Sequence, residues 1–324
     1  MLEQELKNRT YVKGSYQWKR WIPRVARLLV SAGASLFLIL YIDWDNFFTY
    51  LAEANLIYAG GAFLVVHLCI WISGWKWYIL CRDEQGIGFF QYLKWYYIGF
   101  FFNNFLPGSL GGDGARIYYA SKQIGAPKAA ASVAVERVFA GIAMFVVMTV
   151  GLLSVNRSGS FLVEIGLVFA LCLLAYNLLF NYRFTLFMKK RFGKKVQSFY
   201  DVLANYKRAR LLLELICFSL AFQLAFVWVT DLLYRSLGVS IPFFVQLGFV
   251  SLISALTMIP VSINGIGIRE GTYAYLFTLV GVDESVSVAV SLLFFGLVLA
   301  ATSVGGILYL LERGERSHEE KVTT

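Results

Sequence analysis

The sequence predicts an all-α polytopic membrane protein with about six spanning helices and two re-entrant broken hairpins in an inverted-topology repeat. Three observations carry that prediction. Hydrophobic residues make up 58% of the 324-residue chain and charged residues 15%, against about 45–50% and 25% in ordinary soluble domains. Apolar runs near bilayer length fall at about 25–42, 56–80, 129–153, 161–181, 211–235 and 286–311. The pattern P-x-S-L/I-x-G-x-G-x-R occurs twice, from Pro107 to Arg116 and from Pro260 to Arg269, each time inside an apolar region. Proline stops a helix and clustered glycines permit close backbone approach. Breaks at matching positions in two halves of a membrane chain point to a substrate site.

The elements follow in order. The basic stretch 1–27, with Lys7, Arg9, Lys13, Lys19, Arg20, Arg24 and Arg27, is expected to stay cytoplasmic. The run from Leu28 to Ile42 meets Asp43-Trp44-Asp45 without an Ala-x-Ala site, so it reads as a retained signal anchor. The second helix returns to Lys76, Arg82 and Lys94, expected as cytoplasmic flanking charges. Region 91–127 is read as a hairpin, because a full crossing would strand Lys122 and Lys128 outside.

The helix from 129 then goes outward, and that at 161–181 comes back to the basic segment from Arg183 to Arg210. Phe184, Phe187, Phe192, Phe199 and Tyr206 interleave there. That suits a helix on an anionic membrane surface or an ordinary cytoplasmic loop. The helix at 211–235 goes out, 243–283 forms the second hairpin from the opposite side, and the last helix ends inside at Arg313, Arg316 and Lys321.

One membrane domain, 1–324, is therefore expected: the N-terminus 1–27, a first repeat 28–155, an inverted second repeat 161–311 and a cytoplasmic tail 312–324. Location is a multi-pass protein of the cell (inner or plasma) membrane with both termini cytoplasmic.

The net charge of +9 does not indicate nucleic acid, because the basic residues flank apolar runs and do not gather on a soluble face. Cys69, Cys81, Cys172 and Cys217 lack metal spacing and suit packing, as does the lone His67. No metal site, cofactor or catalytic motif is expected. Trp18, Trp21, Trp75, Trp77, Trp95 and Tyr96 suit aromatic belts, and Asp231 an interfacial position.

Non-helical backbone cannot face lipid, so the hairpin tips must be buried or line a wet cavity. A helix N-terminus following the glycines is an anion site, with Arg116 and Arg269 expected in its first turn. The candidate substrate-binding residues are Arg116, Arg269, Asp113, Glu270, Glu136, Arg137, Asn103, Asn104, Ser109, Gly112, Ser262, Asn264 and Gly265. Two alternatives stay open for the acids. Asp113 and Glu270 neutralise the arginines as fixed pairs and cap their helices, or they share an anion site. Glu136 and Arg137, adjacent on one helix, point about 100° apart and need not pair; Glu136 can meet Arg116 or Arg269 across the bundle. The asparagines serve a headgroup or the freed backbone.

The run from Phe101 to Arg116, then Ser132-Val-Ala-Val-Glu136-Arg137, then Gly265 to Gly271 resembles the transmembrane region of lysylphosphatidylglycerol synthase, a flippase-like membrane domain. The resemblance covers most of the chain. It implies movement of a lipid between leaflets, with membrane lipids bearing anionic headgroups as partners. The soluble aminoacyl transferase domain of the synthase has no counterpart here, so lipid aminoacylation is not expected. The leading expectation is a translocase for an anionic phospholipid or polyprenyl-phosphate lipid, its headgroup held between the two re-entrant hairpin tips. An intramembrane lipid-modifying or glycan-lipid transferase using Asp113, Glu136 or Glu270 as base is the alternative, followed by a small-solute or ion carrier. A homo-oligomer is compatible with each.

Overall fold

The computed structural model describes residues 48–50, 52–82, 86–104, 110–155, 166, 194–206, 208–258 and 265–322. They are helical, with no strand among them. The expected spans at 25–42 and 161–181 fall outside the described residues, apart from Gly166. The chain runs α1 (Leu56–Cys81), α2 (Phe89–Asn103), α3 (Leu110–Ile124), α4 (Ala126–Val155), α5 (Lys194–Asn205), α6 (Ala209–Ser236), α7 (Phe243–Thr257), α8 (Ile268–Thr278) and α9 (Glu284–Val322).

Among the described residues four stretches are long and apolar enough to cross a membrane: Leu56–Cys81, Ala126–Ser154, Ala209–Ser236 and Glu284–Glu312. These agree with four of the runs read from the sequence, and the chain is a multi-pass membrane protein. The helices of the two motif regions are shorter. α2, α3 and α7 have 15 residues each and α8 has 11. At 1.5 Å per residue the longest reaches about 22 Å, short of a hydrocarbon core of about 30 Å.

Helices α1 and α6 form an antiparallel central pair. The Asn55 amide donates to the Ser236 carbonyl at 2.8 Å at one end, and Arg82 meets Glu214 at 3.3 Å at the other. α2 leaves from the end where α1 stops, and α7 from the end where α6 stops, so the two hairpins start from opposite ends of this pair. Lys94 and Glu312, 3.3 Å apart, bring the start of α2 to the last helix.

The packing is organised as matching pairs. α2 packs on α9 and α7 on α4; α3 packs on α4 and α8 on α9; α1 touches α2, α4 and α9 while α6 touches α7, α9 and α4. Exchanging α1, α2, α3 and α4 with α6, α7, α8 and α9 leaves this set unchanged. Only α5, which packs on α4, stands outside it. The closest backbone approaches match too. A Cβ on Gly151 of α4 would lie 1.9 Å from the Gly248 nitrogen of α7, and one on Gly305 of α9 2.0 Å from the Tyr97 oxygen of α2. Carried along by the separation of Pro107 and Pro260, Gly151 falls beside Gly305 and Tyr97 close to Gly248. Small residues at helix crossings are the usual means of close packing in membranes.

Several expectations need correction. Trp77, Trp95 and Tyr96 are core residues, because the first hairpin buries α2 against α1 and α9; Trp75 stays exposed, and Trp18 and Trp21 lie outside the described residues. Lys76 is 1% exposed rather than a flanking charge, since it precedes the end of α1 on the side that packs inward. Asp231, expected at the interface, is buried within the protein. It holds Arg235 at 2.7 Å and accepts from Gln246 at 2.7 Å, which satisfies a carboxylate that burial would otherwise penalise. Tyr206 is buried and Phe199 packs on the core; Phe184, Phe187 and Phe192 lie outside the described residues. His67 hydrogen-bonds Tyr97 at 2.7 Å, and Cys69 and Cys81 are buried while Cys217 is exposed.

Candidate functional site

Residues 105–109 and 259–264, where the sequence places the two hairpin tips, lie outside the described residues, and with them Ser109, Ser262 and Asn264. The arms that carry the other candidates are described. In the first hairpin the Gly112 nitrogen donates to Asn103 Oδ1 at 2.6 Å, so Asn103 satisfies backbone freed by the break. Asn104 donates to Thr302 of α9 at 2.7 Å.

Gly112 sits where α3 meets α2. An added Cβ would fall 2.2 Å from the Gly99 carbonyl oxygen and 2.5 Å from Asn103 Oδ1. Gly99 in turn contacts the Arg116 side chain, 2.6 Å from where its own Cβ would be. These two glycines let the arms touch and seat Arg116 between them. Gly112→Ala is expected to part the arms and lower thermal stability by about 1–3 kcal/mol. Gly114→Ala, with open space around its Cβ, is the control in the same melting experiment; equal losses would contradict this packing.

The first helix starts earlier than expected. α3 takes in Gly111, Gly112 and Gly114, which places Asp113 in its first turn and Arg116 in its second. In the second hairpin the glycines stay outside: Gly265 and Gly267 have φ of +75° and +85°, a region that favours glycine, and Arg269 is in the first turn of α8. Glu270 Oε2 accepts from the Gly267 nitrogen at 2.6 Å and caps that helix.

Helices α1, α3 and α4 bring five charged side chains together, and α2 adds Tyr96. Arg116 donates through NH1 to Glu136 Oε2 at 2.8 Å and through NH2 to Asp113 Oδ1 at 2.5 Å. Arg137 grips the same Asp113 with a two-pronged contact of 2.8 and 2.7 Å. The Tyr96 hydroxyl donates to Glu136 Oε1 at 2.8 Å, and Lys76 Nζ lies 4.0 Å from that oxygen. The Arg116 guanidinium stacks 4.3 Å from the Tyr96 ring and 5.2 Å from Trp77. Trp77 donates to Ser132 at 2.9 Å. Glu136 therefore meets Arg116, while Arg137, its neighbour in sequence, turns to Asp113.

The second cluster is smaller. Arg269 Nε donates to Glu270 Oε1 at 3.0 Å and to Ser291 Oγ at 3.1 Å, and NH2 also donates to Glu270. Its guanidinium lies 4.9 Å from the Phe295 ring. Both motif arginines are thus held by carboxylates. The clusters share no residue, and α3 and α8 do not touch among the described residues.

Lys76, Tyr96, Trp77, Ser132, Ser291 and Phe295 were not read from the sequence as members of these clusters. None belongs to the repeated motif, although Ser132 opens the run Ser132–Arg137 that carries the family resemblance, and hydropathy alone assigns Lys76 to a helix end. No group of three or more His, Cys, Asp or Glu side chains suited to a metal ion occurs among the described residues.

No curated protein and no solved structure matches the chain. A family model described as the lysylphosphatidylglycerol synthase TM region matches residues 24–306, which takes in both hairpins and both clusters, and the chain belongs to that family of lipid-related membrane proteins.

Proposed function

We propose that the protein moves an anionic phospholipid or polyprenyl-phosphate lipid between the leaflets of the cell membrane, with both termini cytoplasmic. The observation that carries this reading is the pair of helical hairpins that leave from opposite ends of α1–α6, each bearing a carboxylate-held arginine on its returning arm. Hairpins too short to cross, entering from opposite faces, form an inverted pair that alternately exposes a site to either side. The matching packing of the two halves supports that symmetry.

The arginines have capacity beyond their carboxylates. A guanidinium offers five N–H donors. Arg116 commits two of them to Glu136 and Asp113, and Arg269 commits Nε and NH2. In this mechanism the carboxylates keep buried guanidiniums compensated between cycles, and a headgroup phosphate takes donors as each hairpin opens. Each cluster is a separate station for the headgroup. The transferase alternative is less well supported, because Asp113, Glu136 and Glu270 all accept hydrogen bonds from arginine and are poorly placed as free bases.

The test is transport of fluorescent phosphatidylglycerol across liposome leaflets. Arg116→Lys and Arg269→Lys keep the charge and lose the planar fork. Each is expected to slow transport at least tenfold in monodisperse protein. Unchanged rates in both would remove the arginines from the mechanism.

A further inference from the structure

The first cluster carries three cations, Lys76, Arg116 and Arg137, against two carboxylates, Asp113 and Glu136. The cluster as a whole therefore carries one positive charge more than its carboxylates balance, with Lys76 and Arg116 buried and Arg137 partly exposed. Burial of an uncompensated charge is strongly disfavoured.

Lys76 is where the surplus resides. Its Nζ is 4.0 Å from Glu136 Oε1, beyond hydrogen-bond length, and Glu136 is already engaged by Arg116 and Tyr96. An ammonium has three donors. None meets an acceptor among the described residues, and the other contact of Nζ is the Phe222 ring at 4.9 Å.

Phe222 also belongs to the wall of an apolar cavity of about 130 Å³ between α1, α2, α6 and α9, lined by Cys69, Ile70, Phe100, Phe226 and Phe294 among others. Apolar cavities near ~150 Å³ stay dry and accept hydrocarbon guests. A buried ammonium with no hydrogen-bond acceptor, held only by the long ion pair to Glu136, thus touches the same side chain, Phe222, that walls the apolar cavity.

We propose that Lys76 and this cavity form a binding site for an anionic lipid, with a phosphodiester oxygen accepting from Lys76 Nζ and a segment of one acyl chain in the cavity. The phosphate supplies the negative charge the cluster lacks, and the chain fills space no side chain occupies. This deepens the translocase reading and rests on it for the class of substrate.

The experiment is equilibrium binding to the detergent-purified full chain by native mass spectrometry, with dioleoylphosphatidylglycerol, uncharged dioleoylglycerol and inorganic phosphate as probes. Phosphatidylglycerol is expected to bind at least tenfold more tightly than dioleoylglycerol, with no measurable phosphate binding. Lys76→Met should bring the two lipids to the same affinity, Lys76→Arg should keep the preference, and Cys69→Phe, which fills the cavity, should weaken both lipids at least fivefold. Equal affinities in the unmodified protein, an unchanged preference in Lys76→Met, undiminished binding in Cys69→Phe, or phosphate binding as tight as lipid would each overturn the proposal. If Lys76→Met does not fold, Lys76→Arg and Cys69→Phe decide. Binding is read without transport, so protein that binds as expected but moves no lipid overturns only the translocase reading.

Discussion

Glu136→Leu is expected to cost about 3–5 kcal/mol, the range for removing one partner of a buried ion pair. Glu136 is 3% exposed and serves Arg116, Tyr96 and Lys76 at once. Its loss leaves Asp113 alone to balance Lys76, Arg116 and Arg137. The effect is checked by thermal unfolding in detergent with two further variants. Glu136→Gln keeps an oxygen for Tyr96 but loses the charge, so it should recover only a small part. Glu136→Gln combined with Lys76→Met restores the original charge surplus and should recover more than half. A double variant no better than Glu136→Gln alone would show that shape, and not charge, sets the cost.

Gly151→Val and Gly305→Val are expected to be the most damaging substitutions outside the charged cluster. Each would put a branched side chain where even a Cβ is 1.9 or 2.0 Å from backbone of the facing helix. Backbone cannot swing aside as a side chain does, so α4 must move off α7, or α9 off α2. Overpacking of this kind costs about 1–3 kcal/mol or more. Gly141→Ala and Gly296→Ala lie in the same two helices with nothing near their Cβ positions. They should be neutral or gain up to about 1 kcal/mol from helix propensity. The comparison is made on melting temperature and yield of monodisperse protein; similar losses at all four positions would contradict the crossing contacts.

Much of this architecture was legible because it depends on features that hydropathy and local chemistry expose directly. The four described spans are long apolar runs, and the breaks coincide with proline and clustered glycine. Arg116, Asp113, Glu136 and Arg137 stood out because charges inside apolar segments are costly and must find one another. Their pairing was not legible. Asp113 holds Arg116 and Arg137 together, a contact set by how α3 lies on α4 rather than by spacing along the chain. Lys76 was misassigned because a lysine near a helix end has the same sequence signature whether it snorkels or turns inward. The register of the two halves held a clue: the position matching Lys76 in the second half is Val229, so that place in the helix does not call for a charge.

The two halves share one pattern of packing, yet their charges differ. Five charged side chains meet behind the first hairpin, while Arg269 and Glu270 meet Ser291 behind the second. A movement that exchanges the roles of two such halves does not return the molecule to an equivalent energy. In the proposed transport cycle the two halves exchange roles between two conformations, and the uneven charge gives one of them the lower energy. Directional bias can then be tuned by side chains far from either hairpin tip, without altering the backbone that makes the movement available.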